Sequence, residues 1–146
     1  MNINIDYKVY NIFTNDINKL NINNYYELKQ IHSDIINILD DNYINNTKGD
    51  AIITNQINKP MIIKVADCIP ILLYDKENKV LALVHSGWKG TLSNITIKTI
   101  QKMISIYNSK KENIQVVIYP SIRQCHFEVD IDVYTLFKNK INNIDK

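Results

Sequence analysis

The chain has 146 residues, 45% of them apolar and 22% charged, a composition that fits one globular domain and argues against disorder. A chain of this length buries roughly 68–70% of the surface its unfolded form exposes, enough for a core without staples. Its 17 basic and 15 acidic residues leave a net charge of +2, too balanced to call for nucleic acid or an anionic membrane as partner.

Residues 1–10 alternate polar and apolar side chains and lack the apolar stretch of a signal peptide. Residues 4–14 read as one or two strands. Tyr26-Glu27-Leu28-Lys29-Gln30-Ile31-His32 alternates and predicts a half-buried strand ending at His32, with residues 35–39 as its hairpin partner. Residues 40–48 are a polar loop rich in Asn and Asp, and Gly49-Asp50 opens a strand over residues 51–54. Residues 61–66 form a continuous apolar strand that runs into Asp67-Cys68. Residues 69–74 form another, interrupted near its start by Pro70, and a turn at residues 75–78 leads to the most apolar strand, residues 80–84. That strand enters His85-Ser86-Gly87-Trp88-Lys89-Gly90. Over residues 92–107 the period changes: Ile97, Ile100, Met103, Ile104 and Tyr107 recur at helical spacing, with Thr91 or Ser93 as the candidate cap. Residues 114–119 return to strand, 120–125 form a loop, and 126–129 are short and extended. Residues 130–141 predict a last amphipathic helix with Val133, Phe137 and Ile141 on one face. No apolar run approaches the roughly 20 residues of a membrane helix. The sum is one domain over residues 1–146, of mixed α/β (α+β) class, with a mixed β-sheet flanked by helices.

With no signal peptide, the expectation is a reduced, cytoplasmic protein in which the two cysteines, Cys68 and Cys125, form no disulfide. His32, Cys68 and His85 each fall at or just past the end of an apolar strand, where a rigid scaffold presents side chains to a cleft. Two imidazoles and a thiolate suit zinc or copper with a fourth position left open. An open position is catalytic in style, because a bound metal lowers the pKa of water to about 7. The bland alternative is two satisfied strand-end histidines and a buried small thiol. Two of the three glycines and the only tryptophan lie within His85-Ser86-Gly87-Trp88-Lys89-Gly90. Glycine there admits positive φ or a close backbone approach, and a following helix start beside Lys89 suits an anion; a plain tight turn is the alternative. Asp67 is a candidate general acid or base, or a turn aspartate. Cys125 and His126, adjacent on an extended chain, point to opposite faces, which favours a structural role. Arg123 is either a phosphate contact or a surface residue.

Taken together, these segments resemble one family. Leu28-Lys29-Gln30-Ile31-His32-Ser33 resembles "L-x-Q-V-H-G", and Gly49-Asp50-Ala51-Ile52-Ile53-Thr54 resembles "G-D-A-L-V-T". Ala66-Asp67-Cys68-Ile69-Pro70-Ile71-Leu72-Leu73 matches "A-D-C-x-P-V-L-L", and His85-Ser86-Gly87-Trp88-Lys89-Gly90 matches "H-A-G-W-R-G". Pro120-Ser121-Ile122 and Phe127-Glu128-Val129 match "G-P-S-I" and "Y-E-V". The family is the laccase-domain, or polyphenol-oxidase-like, family of purine nucleoside phosphorylases. The resemblance implies zinc, or copper, held by His32, Cys68 and His85. It implies phosphorolysis of adenosine, inosine, guanosine or methylthioadenosine with phosphate, often with adenosine deamination in the same site. Asp67, Cys68 and His85 are then the candidate catalytic residues, and Ser86, Lys89 and Arg123 the candidate substrate contacts. The implied fold is related to that of cysteine-hydrolase toxins.

The sequence departs from the family at several points. Members are expected to be roughly two-thirds longer, so the N-terminal "R-x-G-G-x-S" segment and the C-terminal "D-L", Cys-Thr and "G-R" motifs are expected to be lacking. Ser33 replaces a glycine, and so does Tyr119. Two other readings stay open: a metal-free cysteine hydrolase or deamidase with Cys68 as nucleophile and His85 as base, and a non-catalytic nucleoside-binding remnant. A true multicopper laccase needs more histidines than the three present.

Overall fold

The computed structural model describes residues 22–141; the strands expected over residues 4–14 lie outside them. Strands β1 (Tyr26–Lys29), β3 (Thr47–Lys48) and β5 (Met61–Ile62) form a small parallel sheet in the order β3-β1-β5. Strands β2 (Ile36–Ile38), β4 (Ala51–Thr54), β6 (Ile69–Asp75), β7 (Val80–Ser86) and β8 (Ile114–Ile118) form the main sheet in the order β2-β4-β7-β6-β8. Within it β2 runs parallel to β4 and the remaining pairs are antiparallel, so the sheet is mixed, as expected.

The apolar runs in β4, β6 and β7 show no alternation because both of their faces are covered. On one face Ala51, Ile53, Ile71, Leu73, Ala82 and Val84 pack under Ile95 and Met103 of helix α2 (Ile95–Tyr107). On the other, Ile52 packs with Leu28 and Leu39, flanked by Leu83 of β7 and by Met61 and Tyr26 of the small sheet. Each fully buried Ile, Leu, Val or Met side chain among them contributes about 1.5–3 kcal/mol. Pro70, which has no N–H to donate, is tolerated because its hydrogen-bonding edge faces away from His85, whose own N–H donates to the Asp50 carbonyl at 2.7 Å. The Pro70 carbonyl accepts from the Tyr119 N–H at 3.0 Å, beyond the end of β8.

Several local expectations change. Residues 35–39 are no hairpin partner of β1; β2 joins the other sheet, because the chain turns sharply at His32 and crosses to β4. The strand expected over residues 61–66 stops at Ile62. Beyond it the Gln30 amide stands in for a strand, accepting from the Lys64 N–H and donating to the Lys64 carbonyl, both at 2.7 Å. The helix expected from residue 92 is two helices, α1 (Trp88–Leu92) and α2, broken at Asn94, which takes a left-handed φ of 60°. Neither Thr91 nor Ser93 caps α2. Its buried face is Ile95, Thr99 and Met103, and Ile97 is 55% exposed; the Thr99 hydroxyl is satisfied by donating to the Ile95 carbonyl at 2.8 Å. Helix α3 (Ile131–Lys140) packs beside α1 with Val133 and Phe137 half-buried, while Ile141 lies past its end and is exposed. Residues 126–129, expected to be extended, begin in a turn. No helix among the described residues is long and apolar enough to cross a membrane.

The β6–β7 hairpin turns on Asp75, a fully buried carboxylate. It accepts from the Glu77 N–H at 3.0 Å, the Asn78 N–H at 3.2 Å and the Asn78 side-chain amide at 2.8 Å. Burial pushes its pKa up, but the neighbouring Ser109 hydroxyl and these amides outweigh burial and hold it below the ordinary carboxylate value. A depressed folded pKa means the stabilisation is complete above the unfolded value of about 3.9 and is lost as pH falls through the folded pKa. Asp75→Asn should therefore cost about 1–3 kcal/mol in denaturant unfolding near neutrality. The gap from wild type should hold constant above about pH 5 and close below about pH 4. A gap that does not change with pH would contradict this account.

Candidate metal centre

Three strand ends meet at one edge of the β4–β7 pair. His85 is the penultimate residue of β7 and is 3% exposed. Cys68 immediately precedes β6 and is half-buried; His32 sits three residues past β1 and is exposed. The ligand atoms of His32, Cys68 and His85 all lie within 4.8 Å of one another. The two imidazoles meet edge to face with centroids 4.9 Å apart. Among the described residues no further His, Cys, Asp or Glu joins this cluster. Two nitrogens and one sulfur with no fourth protein donor is the donor set of an open zinc or copper site.

Asp50, to which the sequence reading assigned no role, organises this arrangement. Its carboxylate is fully buried at the mouth of β4. Oδ1 lies 2.8 Å from His85 Nδ1 and accepts from the His32 N–H at 3.1 Å. Oδ2 accepts from the Ser33 N–H and the Ser33 hydroxyl, both at 2.7 Å, and from the Ile31 N–H at 3.3 Å. Burial raises the Asp50 pKa, but hydrogen bonds from Ser33, His85 and the Ile31 amide together hold it below the usual range. His32 has a left-handed φ of 57°, a conformation that costs a non-glycine residue about 1–3 kcal/mol unless its surroundings enforce it; the Asp50 carboxylate does so. Ser33, which stands where the family motif has glycine, adds its hydroxyl to that grip. The sequence signals for Asp50 were its place in the Gly49–Thr54 motif and an acidic residue opening a largely apolar strand directly after a glycine.

Gly87 has a φ of −72°, so the turn needs no positive φ there. What it supplies is room: a Cβ would stand 2.9 Å from His32 Cδ2 and 3.1 Å from Cys68 Sγ. Gly90 likewise lets α1 settle on the Ser33 carbonyl. The Cys68 thiol is pushed up by burial, and then by the charges of Asp67 and Asp50.

The other sequence candidates are spread more widely. Asp67 is exposed beside Cys68, and its carbonyl accepts from the Ile122 N–H at 3.1 Å, tying the 120–126 loop to the cluster. Ser86 points to the opposite sheet face from His85; its hydroxyl meets that of Thr91 at 2.9 Å. Ser86 and Arg123 both line a groove of about 550 Å³ on the α2 face, walled by Ile71, Ile95 and Ile118. Lys89 is exposed on α1 with its ammonium 5.4 Å from the Trp88 ring centroid. Helix α1 is only five residues long, so the anion-binding helix start expected beside Lys89 is not formed by a long helix. Cys125 and His126 do meet, Sγ to Nδ1 at 2.9 Å. They sit in a turn rather than on an extended chain, so the opposite-face argument does not hold.

A mixed α/β domain that brings two imidazoles and a thiol together from three strand ends is, as a class, a scaffold for a single metal-type site. The chain belongs to the multi-copper polyphenol oxidoreductase laccase family, whose sequence profile matches residues 10–146. It is 44% identical over 112 residues to a protein of Clostridium acetobutylicum named purine nucleoside phosphorylase, a match covering 76% of this chain and 47% of that one. It is 34% identical over 116 residues to a protein of the same name from Borreliella burgdorferi, covering 80% of this chain and 48% of that one. The fold matches the crystal structure of the Bacillus licheniformis hypothetical protein YfiH with a TM-score of 0.74 at 27% identity, over 84% of this chain and 48% of that one. The chain thus spans about half the length of these relatives.

The space beside Gly87 is directly testable. Alanine can adopt the Gly87 backbone, so Gly87→Ala should change thermal stability by no more than about 1 kcal/mol. Its methyl group should displace His32 and Cys68 and weaken zinc binding, measured against a competing chelator, by about tenfold or more. Wild-type affinity in this variant would mean the two ligands do not depend on that space.

Proposed function

We propose that this chain is a metal-dependent, cytoplasmic purine nucleoside phosphorylase that also deaminates adenosine. Its substrates are adenosine, inosine, guanosine or methylthioadenosine, with phosphate. The observation that carries the reading is the convergence of the His32, Cys68 and His85 ligand atoms within 4.8 Å. The relatives named purine nucleoside phosphorylase supply the substrate class. Zinc is the proposed ion and copper the alternative, since two imidazoles and a thiolate suit both. When bound, the ion supplies Lewis acidity at an open coordination position.

The chain's own residues do the rest. In phosphorolysis a phosphate oxygen bonds to the ribose C1′, the glycosidic bond breaks, and the purine leaves with its electron pair and takes up a proton. Asp67, exposed beside Cys68, is the proposed proton carrier. Lys89 and Arg123 are the proposed phosphate contacts. They are carried by the helix that follows Gly87 and by the loop that Ile122 ties to Asp67. Ser86, which shares a groove with Arg123, is the third proposed substrate contact.

One observation favours a second reading, a metal-free cysteine hydrolase of the toxin-related fold. With Asp50 on His85 Nδ1, the Cys68, His85 and Asp50 side chains have the order of a nucleophile, base and orienting carboxylate. Against it, burial and the charges of Asp67 and Asp50 push the Cys68 thiol up, whereas a nucleophilic cysteine needs its thiolate favoured. The exposed His32 also has no part in such a mechanism.

The test is to purify the protein without a polyhistidine tag, measure bound metal by elemental analysis, and follow inosine and adenosine with phosphate by chromatography. The expected result is about one zinc or copper per chain with release of hypoxanthine or adenine, both abolished in His85→Ala. Metal without turnover would leave a nucleoside-binding remnant. Neither metal nor turnover, together with rapid stoichiometric alkylation of Cys68 that chelator does not enhance, would replace this reading with the hydrolase.

A further inference from the structure

We propose that Asp50 is the positioning residue of the metal centre, assembling both histidine ligands through one buried carboxylate before an ion enters. The inference rests on reading the His32–Cys68–His85 cluster as a metal site. Five donors converge on this side chain: His85 Nδ1, the N–H groups of Ile31, His32 and Ser33, and the Ser33 hydroxyl. A carboxylate offers about four lone-pair directions, so Asp50 is saturated and has no capacity left to serve as a fourth ligand. Its action is therefore through the histidines.

Two consequences follow from the same group. Engaging His85 Nδ1 leaves Nε2 as the free ring nitrogen, which selects the tautomer and the ring orientation at once. Three successive amides folding around Oδ1 and Oδ2 wrap the chain into the turn that puts His32, at φ 57°, against His85. One ligand is thus held through its ring and the other through its backbone. Gly49 belongs to the same device. A side chain there would collide with the Asn37 amide, on a backbone φ of 158°, and would push the start of β4 and its carboxylate out of place.

The experiment compares wild type, Asp50→Asn, Asp50→Ala and Ser33→Ala in two ways. Cobalt(II) is titrated against a chelator, reading both affinity and the visible absorption bands of a thiolate-bound tetrahedral ion. In the metal-free protein, at about pH 8 where a free imidazole is neutral, the ¹⁵N shifts of His85 report its tautomer. Asp50→Asn keeps an acceptor for His85 but turns an amide group toward the Ser33 and Ile31 N–H groups. It should weaken cobalt binding about 10–100-fold and lower the tetrahedral band intensity. Ser33→Ala, which removes one of the five donors, should fall between it and wild type. Met103→Ala, in the core beneath α2, serves as the stability control; it should lower the melting temperature without changing cobalt affinity or spectrum.

In the metal-free wild type, His85 should carry its proton on Nδ1, and Asp50→Ala should lose that preference. Wild-type affinity and spectrum in Asp50→Asn would overturn the proposal. So would a wild-type His85 protonated on Nε2, whatever the metal result. If wild type binds no cobalt yet shows the Nδ1 tautomer and loses it in Asp50→Ala, the positioning role stands and the metal reading falls.

Discussion

A buried carboxylate must find donors for both oxygens, and Asp50 finds them on two segments that are far apart in sequence. An unpaired charge at a fully buried position would cost several kcal/mol, so the 31–33 turn and the end of β7 cannot separate from Asp50 cheaply. That constraint links the small sheet to the main one. It also forces His32 into a left-handed conformation and turns the His85 ring. Cys68 then completes the cluster from the start of β6, the neighbour of β7.

The main sheet provides the rigidity this arrangement requires. β4 and β7 are adjacent and covered on both faces, by α2 on one side and by the small sheet on the other, and β6 flanks β7. Side chains at their ends inherit the precision of a close-packed core. Strand alternation then divides the labour. His85 faces the small sheet together with Asp50, while Ser86, one residue later, faces α2 and the groove it shares with Arg123.

Glycine is scarce in this chain, and each of its three glycines is used where another backbone or a ligand side chain presses close. Gly87 gives space to His32 and Cys68, Gly90 lets α1 approach the Ser33 carbonyl, and Gly49 passes the Asn37 amide on the way into β4. The site is therefore defined as much by missing Cβ atoms as by the groups that carry chemistry.

Much of the fold was legible in the residue pattern. The apolar runs of β4, β6 and β7 and the helical period of α2 come from burial, and burial is written in local composition. His32, Cys68 and His85 were legible too, because strand ends next to scarce histidines and cysteines stand out. Other features depended on partners distant in sequence. Gln30 replaces a strand beside Lys64, and β2 pairs with β4 instead of β1. Cys125 meets His126 only because the chain turns there. Asp50 was invisible as an organiser for the same reason: a carboxylate in sequence carries no mark of which donors will surround it. By itself the sequence determined which residue types were available and which segments would be buried. The tertiary structure alone decided which polar groups meet, because hydrogen bonds act only over contact distance and those contacts join residues 35 positions apart at Asp50 and His85 and 66 apart at Ile36 and Lys102.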